Sequence, residues 1–177
     1  MWQKILVALD RSSLSPAIFE QALETAQTMG SRLMLIHVLE WEHEKQYGHS
    51  YPYVGVALGE TYESFPQIVQ QRLEEERETV RDWLRNYSQQ ATARGVVAEY
   101  DCVLGQPSQG IIDTARSWNA NLIVLGRRGR QGLTEMLLGS VSNTVVHHAP
   151  CSVLVVQGIS SPDGEATRAV ANQEATD

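Results

Sequence analysis

Apolar residues in this chain fall into short unbroken runs, separated by longer stretches with helical spacing. Ile5 to Leu9 is continuous rather than alternating, the pattern of a parallel strand covered on both faces. It ends at Asp10. Leu14, Ala17, Ile18, Ala22, Ala26 and Met29 then recur at intervals of three and four, which predicts an amphipathic helix. Ser12 or Ser13 is expected to cap that helix, Pro16 suits its first turn, and Gly30 suits a left-handed end. Arg32 to Leu39 is a second, nearly apolar strand with His37 near its end.

Residues 40–64 break the rhythm. Trp41, Tyr47, Tyr51, Tyr53 and Tyr62 are interleaved with Gly48, Pro52, Gly55 and Gly59. A connection of this length reads as a variable loop, either a lid or binding loop or a partly ordered surface segment. Pro66 to Arg94 predicts the longest helix, with Val69, Leu73, Val80, Leu84, Tyr87 and Ala91 on one stripe. Glu74, Glu75 and Glu76, with Arg72, Arg77 and Arg81, supply the expected solvated face.

Gly95 ends that helix, and Val96 to Leu104 is a third strand whose mixed polarity suits a sheet edge. Gly105-Gln106-Pro107-Ser108 starts a helix with Ile111, Ile112 and Ala115 inward. Leu122 to Leu125 is a fourth strand. A helix follows from Ser140 to about His148, stopped by Ala149-Pro150, and Ser152 to Val156 is a fifth strand. Residues 158–177 lack periodicity and read as a disordered acidic tail after one domain spanning 1–157.

Strands alternating with helices imply βαβ crossovers, hence an α/β fold with an open parallel sheet and helices on both faces. Ligands in such sheets bind outside the carboxyl ends of the strands, at the topological switch point. Asp10, the end of the second strand and Gly126 therefore share one rim.

The chain has 177 residues and a formal net charge of -7, and is 42% hydrophobic and 20% charged. That balance fits a globule with one sizeable core and argues against a nucleic-acid binder, whose footprint is basic. Two cysteines, Cys102 and Cys151, are too few for a disulfide framework and lack zinc spacing. The N-terminus enters a strand without a signal-peptide layout, and no run approaches the roughly 20 apolar residues of a membrane helix. A cytoplasmic protein with free thiols is the expectation.

Residues 121–142 hold the chemistry. An apolar strand turns at Gly126, Gly129 and Gly132 follow closely, and Gly139-Ser140 opens a helix. Glycines let backbone amides approach a ligand, and a helix N-terminus offers free amides and a positive dipole end. Strand, glycine loop, then helix N-terminus is a geometry that cradles phosphate. The other polar residues suggest less. His147-His148 suits the negative end of a helix, whereas His37, His43 and His49 show no ligand spacing. Ser12 and Ser13 have no His or Asp partner that the sequence can place, which argues against a hydrolytic nucleophile.

Gly126-Arg-Arg-Gly129, nine residues and Gly139-Ser140 fit the G-x2-G-x9-G-[S/T] signature of the ATP-binding branch of the universal stress protein family, which the chain resembles. Lys4-Ile-Leu-Val-Ala-Leu-Asp10, Leu35-Ile-His-Val38, Asn121-Leu-Ile-Val-Leu-Gly126, Gly139-Ser-Val-Ser and Ala149-Pro-Cys-Ser-Val-Leu-Val-Val156 extend the likeness over residues 2–157 in domain order. The resemblance implies a Rossmann-like sheet of the adenine-nucleotide α-hydrolase type, with strand order 3-2-1-4-5.

It also implies an adenine-nucleotide site. Asp10 would lie near the ribose or a phosphate-bound metal, Ala8 beside the base, and Val38 would offer its backbone to the adenine edge. Gly126, Gly129 and Gly132 would wrap the ribose and phosphates. Gly139, Ser140, Val141 and Ser142 would supply amides and hydroxyls to phosphate. Arg127, Arg128 and Arg130 are either phosphate contacts or solvated loop arginines. The implied cofactor is ATP, ADP or AMP, with or without Mg2+.

The implied role is a nucleotide-dependent stress-response switch, homodimeric through Ser152–Val156 and read by an unidentified signalling partner. Slow ATP hydrolysis or autophosphorylation on the same site is the enzymatic alternative. The chain lacks a G-x-x-x-x-G-K-[S/T] loop, a kinase signature set and an evident general base, so no catalytic residue is assigned. A module that has lost nucleotide, or a flavin carrier on a similar sheet, completes the alternatives.

Overall fold

The five apolar runs pair side by side as parallel strands in a computed structural model that describes residues 2–40, 65–127 and 138–157, with 65–69 described by backbone alone. The elements follow in the order β1 (Lys4–Ala8), α1 (Ser15–Met29), β2 (Arg32–Leu39), α2 (Phe65–Ala93), β3 (Ala98–Leu104), α3 (Pro107–Ser117), β4 (Leu122–Gly126), α4 (Ser140–His148) and β5 (Ser152–Val156). Strand order is β3-β2-β1-β4-β5, the expected 3-2-1-4-5 arrangement. Residues 41–64, expected as a long loop, and 158–177, expected as a tail, lie outside the described residues, as does the side chain of Val69.

Strand residues alternate between two faces, so each apolar run feeds two cores. Ile5, Val7, Leu33, Leu35, Leu122 and Val124 pack under α1 and α2, against Ile18, Leu23, Val80 and Leu84. Leu6, Ile36, Ile123 and Leu125 pack on the opposite face against Ile111, Ile112 and Val145 of α3 and α4. Burial of both faces explains why β1 and β4 read as unbroken apolar runs rather than alternating ones.

The edges differ from the centre. β3 begins at Ala98, two residues later than expected. Val96 is drawn into closing α2, its N–H donating to Ala91 at 2.9 Å, and Val97 contributes a carbonyl to Leu33 N–H at 2.8 Å. β3 carries Glu99, paired with Arg32, and Asp101, paired with Arg81 at 2.9 Å. Arg81 therefore reaches the sheet instead of standing on the solvated face of α2, and Arg77 has a buried Nε.

Helix α1 ends at Gly30, whose φ of 66° lies in the left-handed region and whose N–H donates to Ala26. Gly30→Ala adds a Cβ that meets no other atom but must adopt that backbone conformation. A loss of about 1 kcal/mol is expected in urea unfolding. No loss would place the helix end elsewhere.

Candidate functional site

The sheet changes crossover direction between β1 and β4, its two central strands. Their register pairs Ala8 with Leu125, so the segments leaving both carboxyl ends emerge side by side. This is the switch point at which open α/β sheets hold ligands.

On the β4 side, the chain leaves Gly126 and returns as α4. Arg127 N–H donates to Val156 at 2.8 Å, and Gly139 N–H donates back to the Arg127 carbonyl at 2.9 Å. Ser142 Oγ lies 2.9 Å from both the Arg127 and Gly139 carbonyls and is 2% exposed. A hydroxyl has one proton, and these two carbonyls share it. Ser142 thus fastens the base of the glycine segment, with its hydroxyl already committed within the protein.

Gly139 is the N-cap of α4 and makes no side-chain cap. The first intrahelical bond is Asn143 N–H to the Gly139 carbonyl at 2.8 Å. The amides of Ser140, Val141 and Ser142 precede it, so helix geometry gives them no partner within α4. Ser140 is exposed beside them. Three amides at the positive end of a helix have the chemistry to receive an anion. Arg128, Gly129, Arg130 and Gly132, expected in the same site, lie outside the described residues.

β2 supplies a different surface. Its even residues bond towards β1, as Ile36 accepts Leu9 N–H at 2.9 Å, while Leu39 accepts Gly105 N–H at 3.0 Å on the β3 side. Val38 follows the even set, and the β1 ladder stops at Ile36. Its amide and carbonyl therefore point past the end of β1 beyond the last ladder bond, where a donor and an acceptor suit the edge of a planar heterocycle. The Val38 side chain packs on α3, where a Cβ at Gly110 would lie 3.0 Å from both Val38 methyls. Ala8 faces the same side, half-buried. His37, on the other face, is buried with Nδ1 2.8 Å from the Leu9 carbonyl and its ring edge-on to Trp83.

Asp10 stands between these two surfaces. Its Oδ1 accepts Ser12 N–H at 3.2 Å and the Ser12 hydroxyl at 2.5 Å. The Ser15 hydroxyl donates to the Asp10 main-chain carbonyl and lies 3.2 Å from Oδ1. Ser12 thus has the carboxylate partner that sequence could not place, in an Asx-type turn. This also corrects the expected cap: Ser12 Oγ accepts Leu14 N–H at 3.3 Å, but the N-cap of α1 is Leu14, with no side-chain cap. Ser15, 1% exposed, escaped sequence reasoning. A serine five residues after a strand-ending aspartate was the available signal. Among the described residues no group of three His, Cys, Asp or Glu side chains could hold a metal ion.

Both thiols sit away from the rim and are unpaired. Burial pushes Cys102 and Cys151 above the ordinary thiol value of 9.0. Their contribution to stability is accordingly complete below about pH 9.0 and is lost as pH rises through the raised folded values. At pH 8 a thiol-reactive chromogenic disulfide is expected to label Cys102 slowly in the folded protein and rapidly in urea. Rapid labelling of Cys102 without denaturant would mean that α2 opens readily.

A family model described as the universal stress protein family matches residues 1–157. The chain is 42% identical over 154 residues to universal stress protein Sll1388 of Synechocystis, covering 87% of this chain and 97% of that one. Among solved structures, UspA from Lactobacillus plantarum superposes with a TM-score of 0.68 at 26% identity, covering 87% and 97% of the two chains. The universal stress protein from Archaeoglobus fulgidus in complex with dAMP has a TM-score of 0.55 at 21% identity, covering 86% and 96%. No helix among the described residues is long and apolar enough to cross a membrane.

Proposed function

From the premise that this chain belongs to the universal stress protein family, we propose that it binds an adenine nucleotide at the switch point and works as a nucleotide-dependent stress-response switch. The observation that carries this reading is the start of α4: three successive amides with no intrahelical partner, beside an exposed serine hydroxyl, at the carboxyl end of the central strands. Phosphate oxygens need convergent donors and no acceptor, which these groups provide. The dAMP held by a relative of the same fold supports the ligand class.

In this reading Val38 takes the base edge with its main chain, and Ala8 lines the wall beside the base. Asp10 faces the sugar. Gly126, Arg127, Arg128, Gly129, Arg130 and Gly132 surround the ribose and phosphates, with Gly139, Ser140 and Val141 as phosphate donors. Ser142 contributes its amide, while its hydroxyl holds Arg127 and Gly139 in place. Mg2+, when present, neutralises phosphate charge. The protein acts in the cytoplasm as a homodimer joined along β5, an uncharged margin flanked by the exposed Val146 of α4. A signalling partner reads the occupied state.

The test is to denature freshly purified protein, identify any released nucleotide by chromatography and mass, and titrate ATP, ADP, AMP and flavin by calorimetry with and without Mg2+. Released or saturably bound adenine nucleotide is the expected result. Protein that emerges empty and ignores all three adenine nucleotides overturns the reading.

A further inference from the structure

The order of the strands also orders the ligand. β1 lies between β2 and β4. The surface suited to a base edge is at the end of β2, and the amides suited to an anion follow β4. A nucleotide spanning both places its sugar over the end of β1, where Asp10 stands. The two Asp10 oxygens differ: Oδ1 is occupied by the Ser12 amide and hydroxyl, with the Ser15 hydroxyl at 3.2 Å, while Oδ2 is outside these bonds. Ser15 is 1% exposed and also bonds the Asp10 main-chain carbonyl, so backbone and side chain are held from one buried point.

We propose that Ser12 and Ser15 are positioning residues that commit Asp10 Oδ1 and direct Oδ2 to accept a ribose hydroxyl, so that the site selects ribonucleotides over deoxyribonucleotides. The inference rests on the adenine-nucleotide reading above. A carboxylate oxygen is a strong acceptor with no proton to give, which suits a sugar hydroxyl and repels phosphate. A pinned carboxylate loses little freedom on accepting that bond, whereas a swinging one must be ordered first. Sugar selection does not come with the fold alone, since a relative is solved with a deoxyribonucleotide.

Calorimetry of the full chain with ATP, 2′-deoxy-ATP and 3′-deoxy-ATP tests the proposal. Wild type is expected to prefer ATP roughly tenfold or more over at least one deoxy analogue, the size of a hydrogen bond to a charged group. Ser15→Ala and Ser12→Ala should lower affinity for ATP while leaving the disfavoured analogue nearly unchanged, so the ratio approaches one. Ser12→Thr, which keeps the hydroxyl, should retain the preference. Asp10→Ala should abolish it, with Ser15→Ala adding nothing further in the double variant.

Structural damage would weaken all three ligands equally, and that outcome overturns the positioning role. Equal affinity of wild type for all three ligands overturns the selectivity while leaving the nucleotide site intact. Failure of wild type to bind any of them sinks the underlying nucleotide reading instead.

Discussion

Ser140→Glu is expected to weaken ATP binding by roughly 100-fold while leaving the unfolding temperature unchanged or slightly raised. The two effects have opposite signs because they act on one electrostatic feature. Ser140 is exposed at the first position of α4, where Gly139 makes no side-chain cap. A carboxylate there meets the positive end of the helix and stabilises it by about 0.3–1 kcal/mol. In the proposed site the same carboxylate would occupy the amides assigned to phosphate and repel the phosphate itself. Two like charges near 4 Å at a protein surface oppose each other by about 4 kcal/mol before salt screening, enough for the stated loss. Calorimetric titration alongside thermal unfolding reads both quantities. A variant that binds ATP as tightly as the parent would remove α4 from the site, whereas one that also loses stability would point to misfolding.

Leu84→Ala is expected to lower the unfolding free energy by about 3 kcal/mol, with a fall of roughly 6–12 °C in melting temperature. Leu84 is fully buried, in the same core as Leu33, Leu35 and Val80, and belongs to the stripe that attaches α2 to the sheet. Around it α2 is strongly charged. Its surface ion pairs, such as Arg85 with Asp82 at 2.6 Å, contribute little in water. Docking of the longest helix therefore depends on a few apolar side chains, and truncating one leaves a cavity that rigid neighbours fill only in part. Denaturant unfolding measures the loss. A change below about 1 kcal/mol would show that the stripe can collapse around the missing atoms.

The fold was legible because its signals are local and strong. An unbroken run such as Ile5 to Leu9 is hard to place except between two helix layers, and Gly30 closes its helix in the left-handed conformation that the sequence suggested. What escaped depends on competition between side chains. Ser12 has the composition of a helix cap, yet its hydroxyl is drawn to Asp10, a carboxylate being a stronger acceptor than a neutral group. Ser142 has the composition of a phosphate donor, yet its proton goes to two main-chain carbonyls. Arg81 sits in a charged run that reads as solvated, but Asp101 across the α2–β3 contact claims it. Each outcome turns on which polar partner the side chain meets in the folded chain, which periodicity does not encode. The placing of Asp10, Val38 and Gly126 on one rim of the sheet was accordingly readable. The division between residues that can face a ligand and residues that hold others still was not.

The unlike margins of the sheet bear on how many chains can come together. β3 carries Glu99 and Asp101, each tied to an arginine, and charge along a margin discourages another strand from adding there. β5 has no charged residue and, among the described residues, no strand beyond it. A sheet open on one side can be extended once. When two such chains join through their identical open margins, the contact is used up on both, and the outer boundaries are the charged ones. Among the described residues such a pair would leave no second uncharged margin from which ribbons or fibres could propagate, so raising the protein concentration is expected to saturate at a finite particle rather than build filaments.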